Sequence, residues 1–267
     1  MGRLFAFGCS FTKYAWPTWA DMIALDQNAD YYNLGIAGLG NVGIASRIIE
    51  ADAKFKFTAD DKILILWTGF ERIDWITNSE WENYGSVFHA PKDRRGWHVK
   101  NWSLSNDIVR NFTAIVSTNK IYKDLILWQG HSFDPVLAEH ELQHMEIPEY
   151  EYNKAISYAK LFESQLPDIP VCIFDDFKPA FKIVDDIHPD VETHRELLQK
   201  YLDYDLSENT LNKINLLQNT IEQKCLAENI KDTQKVQHWI ESIINTDARF
   251  VDFKNLFRHY SLGDYIC

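Results

Sequence analysis

Two apolar runs of strand length, Leu4-Phe-Ala-Phe7 and Ile63-Leu-Ile-Leu-Trp67, carry no polar residue on either face. A strand that is apolar on both sides must be covered on both sides, and that is the condition of a parallel sheet with helices above and below it. The first run spans residues 3–8 and breaks at Gly8. A helix is expected across Trp16–Leu25, with Pro17 in its first turn, where its missing N–H costs nothing. Tyr31-Tyr-Asn-Leu34 reads as the second strand, ending in Gly35-Ile-Ala-Gly38-Leu-Gly40, and Val42–Asp52 as the helix after it. Lys62–Trp67 is the third strand. Three β-α units in this order predict a doubly wound α/β fold, a parallel sheet between two helical layers.

The middle of the chain is less periodic. Residues 75–105 mix Trp, Asn, Gly and charge, which suggests an insertion. Ile108, Phe112, Ile115, Tyr122 and Ile126 follow a helical period, and Tyr152–Leu166 predicts a further helix ending before Pro167. Pro170-Val-Cys-Ile-Phe174 reads as a fourth strand. Helices are expected at 208–228 and 234–244, and Arg249-Phe-Val-Asp-Phe253 as a fifth strand. There is no internal repeat and no low-complexity linker. The expectation is one domain over residues 1–267 with a helical elaboration at 205–248.

Charge and cysteine content narrow the partners. Lys and Arg number 27 against 39 Asp and Glu, a net charge of −12. With no long basic run, a nucleic-acid backbone is not the expected partner, because that binding needs cations to neutralise phosphates. Cys9, Cys172, Cys225 and Cys267 stand far apart without a Cys-x-x-Cys pair. Neither a disulfide framework nor a cysteine zinc site is expected, and reduced thiols suit a cytoplasmic setting. No charged leader with an apolar core and no membrane-length apolar stretch is present, so no membrane partner is expected.

The chemistry concentrates at the end of the first strand. Gly8-Cys-Ser10 delivers a serine to the carboxyl edge of a parallel sheet, where ligands bind in open α/β folds. Ser10-Phe-Thr12 would serve equally well to cap the next helix. Gly8-Cys-Ser-Phe-Thr12 resembles the first block of the SGNH (GDSL-type) hydrolases, Gly-Asp-Ser after the first strand. Asn33-Leu-Gly-Ile-Ala-Gly38 resembles their second block, and Asp185-Asp-Ile-His188-Pro189 their last, Asp-x-x-His. His194, followed by a helix, is also similar. Gly-Cys-Ser-Phe-Thr together with Trp67-Thr-Gly-Phe-Glu-Arg72 looks most like virus-encoded members.

That resemblance implies a flavodoxin-like three-layer SGNH fold and a serine esterase or deacylase. Ser10 would be the nucleophile, His188 the base that takes its proton, and Asp185 the carboxylate that orients the base. The N–H groups of Ser10 and Gly38 would face the oxyanion. The implied substrate is a small-molecule or carbohydrate ester, with no cofactor and no metal required.

Two departures stand out. The family's third block, Gly-x-Asn-Asp, reads here Gly69-Phe-Glu71-Arg72, and an ionised Glu71 cannot donate a hydrogen bond; Asn41 or Arg72 is left to substitute. A long stretch also follows His188, so His259, near Asp252 or Asp264, is a rival base if residues 249–253 form the last strand. A separate His140-Glu141-Leu-Gln-His144 is a literal His-Glu-x-x-His, able on a helix to hold Zn²⁺ with the glutamate as base. Tryptophans 67, 75, 81, 97 and 102 would either pack or offer a platform for sugar rings.

Overall fold

The computed structural model describes residues 2–70, 72–77, 80–86, 103–131, 149–164, 169–170, 172, 188–229 and 233–257. Four parallel strands build the main sheet: β1 (Leu4–Gly8), β2 (Tyr31–Asn33), β3 (Lys62–Trp67) and β6 (Ile126–His131). Their order is β2-β1-β3-β6, the flavodoxin-like arrangement in which the chain reverses direction of winding beside β1. Residues 4–8 of β1 register against 62–66 of β3, and Leu4–Ala6 against Tyr31–Asn33. On the outer side of β6, His131 N–H bonds Pro170 O at 3.0 Å and Cys172 N–H bonds His131 O at 2.7 Å. That pattern is parallel pairing, so the segment expected as the fourth strand begins as the neighbour of β6.

Side-chain alternation along β1 and β3 sorts the core into two layers. Leu4, Ala6, Leu64 and Leu66 face one cluster, with α1 (Trp19–Asp26), α5 (Val191–Leu202), α6 (Glu208–Glu228), α7 (Thr233–Thr246) and the 3₁₀ segment Ala248–Asn255. Phe5, Phe7, Ile63, Ile65 and Trp67 face the other, with α2 (Asn41–Phe55) and α3 (Leu104–Tyr122). The fold is therefore α/β, with a parallel sheet between two helical layers, as the apolar runs demand. The remaining helix of the described residues, α4 (Glu149–Glu163), packs on α3.

Several expectations are corrected. The first helix starts at Trp19, not Trp16: Thr18 is its N-cap, leaving Pro17 outside. The helical period at 108–126 hides two elements, because α3 ends at Tyr122 and Ile126 opens β6. Residues 72–86 form an antiparallel hairpin, β4 (Arg72–Thr77) and β5 (Glu80–Ser86), with Ile76 opposite Trp81. Residues 249–253 are 3₁₀-helical rather than a strand. Phe250, Phe253 and Leu256 are all buried while Val251 is 53% exposed. That is a period of three, which eclipsed 3₁₀ side chains satisfy and a strand does not. Trp67, by contrast, packs, the commoner fate of such a tryptophan: it is fully buried, and its indole N–H donates to Gln129 Oε1 at 3.1 Å.

A carboxylate of the hairpin reaches the start of α2. Asp74 accepts the N–H of Gly40 at 2.7 Å and of Gly43 at 2.7 Å, the N-cap and third residue of α2. Helix N-termini carry unsatisfied donors and favour negative charge. A Cβ on Gly40 would stand 2.7 Å from Asp74 Oδ2, so glycine is what lets the carboxylate approach. Burial pushes the Asp74 carboxyl above its ordinary pKa, against the two N–H groups that hold it down. Asp74→Ala strands both donors and should lower unfolding free energy by roughly 1–3 kcal/mol; urea denaturation measures it, and an unchanged midpoint would refute the capping role.

Candidate active site

The turn after β1 is built by close approach. Thr12 and Lys13 N–H both bond Cys9 O, at 3.0 and 3.1 Å, making a single helical turn that folds back over the strand end. A Cβ on Gly8 would collide with the Thr12 hydroxyl, so the strand has to end in glycine there. Ser10 sits in this turn, 5% exposed. The helix-cap alternative does not hold, because Thr18 occupies that position. Among the described residues Ser10 Oγ has no hydrogen-bond partner.

The loop after β2 lies alongside. Leu34 N–H bonds Ala6 O at 2.8 Å, and Ile36 N–H bonds Gly8 O at 3.1 Å. Gly38 follows with φ of 80°, a left-handed conformation that glycine takes without strain. The two segments expected to supply oxyanion N–H groups are thus stitched together at the end of β1. Asn41 has another attachment: its Nδ2 donates to Thr68 O at 2.8 Å, and its Oδ1 accepts Thr68 N–H at 2.8 Å. It ties the start of α2 to the exit of β3, with one amide hydrogen already committed.

His188 comes to this edge from far along the chain. Its ring stacks on Tyr14 at 3.6 Å between centroids and meets Phe11 edge-on at 5.9 Å. The indole N–H of Trp16 donates to Pro189 O at 3.0 Å, and Trp16 packs against Tyr14. Asp190 then caps α5, accepting Thr193 N–H at 2.8 Å. His188 is therefore half-buried against the turn that carries Ser10, rather than an isolated surface residue. Asp185, Glu71, His140, His144, His259 and Asp264 lie outside the described residues. Among the described residues no group of His, Cys, Asp and Glu is arranged to hold a metal.

Three features were missed in the sequence. Strand β6 had a signal, since Leu125-Ile-Leu-Trp128 repeats the apolar run of β3. Asp74 had none, its partners Gly40 and Gly43 lying more than thirty residues earlier, at the start of α2. The third is Asp21, fully buried, which accepts Thr18 N–H (2.8 Å), Thr18 Oγ1–H (2.9 Å), Tyr31 O–H (2.9 Å) and Asn33 Nδ2–H (2.9 Å). Asn33 also donates to Thr12 O at 2.8 Å, which fixes the Ser10 turn to β2. Burial pushes Asp21 above its ordinary pKa, opposed by these donors. Cys9, Cys172 and Cys225 are buried free thiols, and burial raises Cys172 to about 12. No described helix is long and apolar enough to cross a membrane.

The sequence matches no family model and no curated protein. Solved structures similar to it include a lipolytic G-D-S-L family member from Veillonella parvula DSM 2008, at 12% identity and TM-score 0.40, covering 76% of this chain and 97% of that one. An acetyl xylan esterase from the rumen bacterium Butyrivibrio proteoclasticus gives 12%, 0.39, 76% and 63%. A catalytic mutant of an acetylxylan esterase from Geobacillus stearothermophilus gives 14%, 0.40, 77% and 97%. At such distance these likenesses assign no residue and no activity here.

His194, one turn into α5, is 1% exposed and faces the core with Leu197 and Leu198. Burial, and then the charge of nearby His188, press its pKa down to about 3. The unfolded chain takes up a proton there near pH 6.5 that the folded protein refuses. The stability at stake is complete above that pH and is lost as pH falls towards about 3. Between pH 6.5 and 5 the unfolding free energy should drop by up to about 1.4 kcal/mol per pH unit from this site. Urea titrations of the wild type and His194→Gln check it: equal slopes in that window would contradict the assignment.

Proposed function

We propose that the chain is a serine esterase or deacylase that hydrolyses a carboxylic ester, with Ser10 as nucleophile, His188 as base and Asp185 as the carboxylate orienting it. The observation that carries the reading is the seating of His188 on Phe11 and Tyr14, directly after Ser10 in the turn. In the reaction, Ser10 Oγ attacks the ester carbonyl carbon while the imidazole takes its proton. The charge on the carbonyl oxygen would be met by the N–H groups of Ser10 and Gly38, with Asn41 beside them. The tetrahedral adduct expels the alcohol, which leaves with the proton from His188, and an acyl-enzyme remains. Water, deprotonated by the same imidazole, then releases the acid. No cofactor enters these steps.

A second reading is a non-catalytic structural or carbohydrate-binding protein. What favours it is the burial of Ser10 and the absence, among the described residues, of any hydrogen bond to its hydroxyl. Apo sites often tighten only with substrate, so this does not displace the first reading.

A fluorophosphonate probe separates the two. The enzyme reading expects labelling at Ser10, lost in Ser10→Ala and in His188→Ala, with hydrolysis of p-nitrophenyl acetate falling roughly a thousandfold or more in either variant. Absence of labelling in folded protein favours the binding reading. Labelling that survives His188→Ala removes His188 as the base.

A further inference from the structure

Beside the Ser10 turn, a cleft of about 430 Å³ opens between the sheet edge and the C-terminal helices, a size that suits a small molecule. Lys13 and Tyr14, from the turn after β1, and Ile36, from the loop after β2, form its inner wall. Gln237 and Glu241 of α7, with Phe257 just beyond the 3₁₀ segment, form the outer one. Tyr14 also seats His188, so the cleft adjoins the place where that ring meets the turn.

The inner wall carries positive charge without an ion pair. In a chain of 39 acidic and 27 basic residues carboxylates are plentiful, and Arg3, Arg110, Arg195, Lys213 and Arg249 each pair with one. Lys13 and Arg47 form no ion pair with any described residue. Both are held instead by carbonyls at the end of β2: Lys13 Nζ donates to Asn33 O at 3.2 Å, and Arg47 Nε to Leu34 O at 2.9 Å. Among the described residues, the charges that act on Lys13 are those of Asp21, already met by four donors, and Arg47. Burial holds the Lys13 amine below its ordinary pKa; Asp21 opposes that shift and Arg47 adds to it. Glu50, on the same helix as Arg47, acts on that guanidinium without pairing with it. A cation drawn out of water without a counterion is costly. An ammonium has three hydrogens and Asn33 takes one, so an anion arriving in the cleft has donors to meet and a cost to offset.

The remaining surface decides what kind of anion. Lysine is a single point charge, and no second cation lines the cleft among the described residues. A monoanion therefore suits it better than a phosphate dianion. On the far wall Glu241 accepts Gln237 Nε2 at 3.4 Å, which sets the anionic end of a ligand against the inner wall. Ile36 and Phe257 offer apolar surface to the rest of it. We propose that this cleft binds an organic carboxylate, its carboxylate on Lys13 and its apolar body along Ile36 and Phe257, and so selects esters that carry a free carboxylate. The selection, though not the binding, rests on Ser10 as the nucleophile.

The test compares monomethyl glutarate, an anion at neutral pH, with uncharged dimethyl glutarate. Both are titrated by saturation-transfer NMR onto the full chain carrying Ser10→Ala, so that nothing is turned over. The monoester should bind about tenfold or more tightly than the diester, the margin of a charge-assisted hydrogen bond. In that background Lys13→Met should abolish the preference, and Lys13→Arg, which keeps the charge, should retain part of it; circular dichroism verifies folding. Equal binding of the two esters, no binding of either, or a preference that survives Lys13→Met overturns the proposal. Displacement of the monoester by less inorganic phosphate than glutarate overturns it as well. Hydrolysis of p-nitrophenyl acetate by the wild type is followed in parallel. A charge preference in a protein that hydrolyses nothing supports the cleft and counts against Ser10 alone. Hydrolysis without a charge preference removes the cleft and leaves the esterase reading standing.

Discussion

A buried carboxylate holds the carboxyl edge of the sheet together. Asp21 lies where α1, β2 and the turn after β1 converge, and four donors point at it. An unpaired buried charge is too costly to keep, so the geometry of those donors is constrained as tightly as the packing around them. Asn33 extends the network to Thr12 O and Gly35 N–H, and the single Thr18 hydroxyl hydrogen is shared between Asp21 and the same Thr12 carbonyl, 2.6 Å from Oγ1. The position of the turn that carries Ser10 therefore depends on a buried side chain in α1.

The neighbouring strand end is held in a similar way. Asn41 spans from α2 to both backbone groups of Thr68, and Asp74 reaches in from the hairpin to the first turn of the same helix. In each case a polar side chain fills a dry junction and satisfies backbone groups that secondary structure leaves open. The loops at the carboxyl edge of the sheet are thereby tied down by hydrogen bonds where the proposed chemistry needs positioned N–H groups.

The C-terminal helices are integral to the molecule. Asp26, at the end of α1, accepts Tyr204 O–H at 2.8 Å and Ser207 Oγ–H at 2.6 Å, and Trp128 of β6 donates to Tyr201 O at 3.2 Å. Ile214, Leu217, Ile221, Val236 and Ile240 complete the core layer that covers Leu4, Ala6, Leu64 and Leu66. Placing these helices there leaves one side of α7 facing the sheet edge, and that is how a distant segment comes to wall a cleft beside the Ser10 turn.

Periodicity made the architecture legible. Apolar runs with no polar face announce strands buried on both sides, and β1, β3, α2, α6 and α7 lie where the pattern put them, to within a few residues. Where two patterns abut, as at Tyr122 and Ile126, the window blurred a helix into a strand. Where the period was three, as at Phe250, Phe253 and Leu256, a short stretch passed for alternation. Of the candidate site, Ser10, Gly38 and His188 could be picked out as residue types at known spacings. How the segments that carry them are held at the sheet edge could not, since it depends on a stacked Tyr14, an indole bond to Pro189, and a buried Asp21 that looks in sequence like any other helix-start acid. The sequence by itself determined a parallel sheet with two covered faces, because local hydrophobic period is written residue by residue. Only the tertiary structure decided which polar groups share a dry junction and which helix closes the cleft, because those contacts join positions far apart in the chain, and no local pattern encodes them.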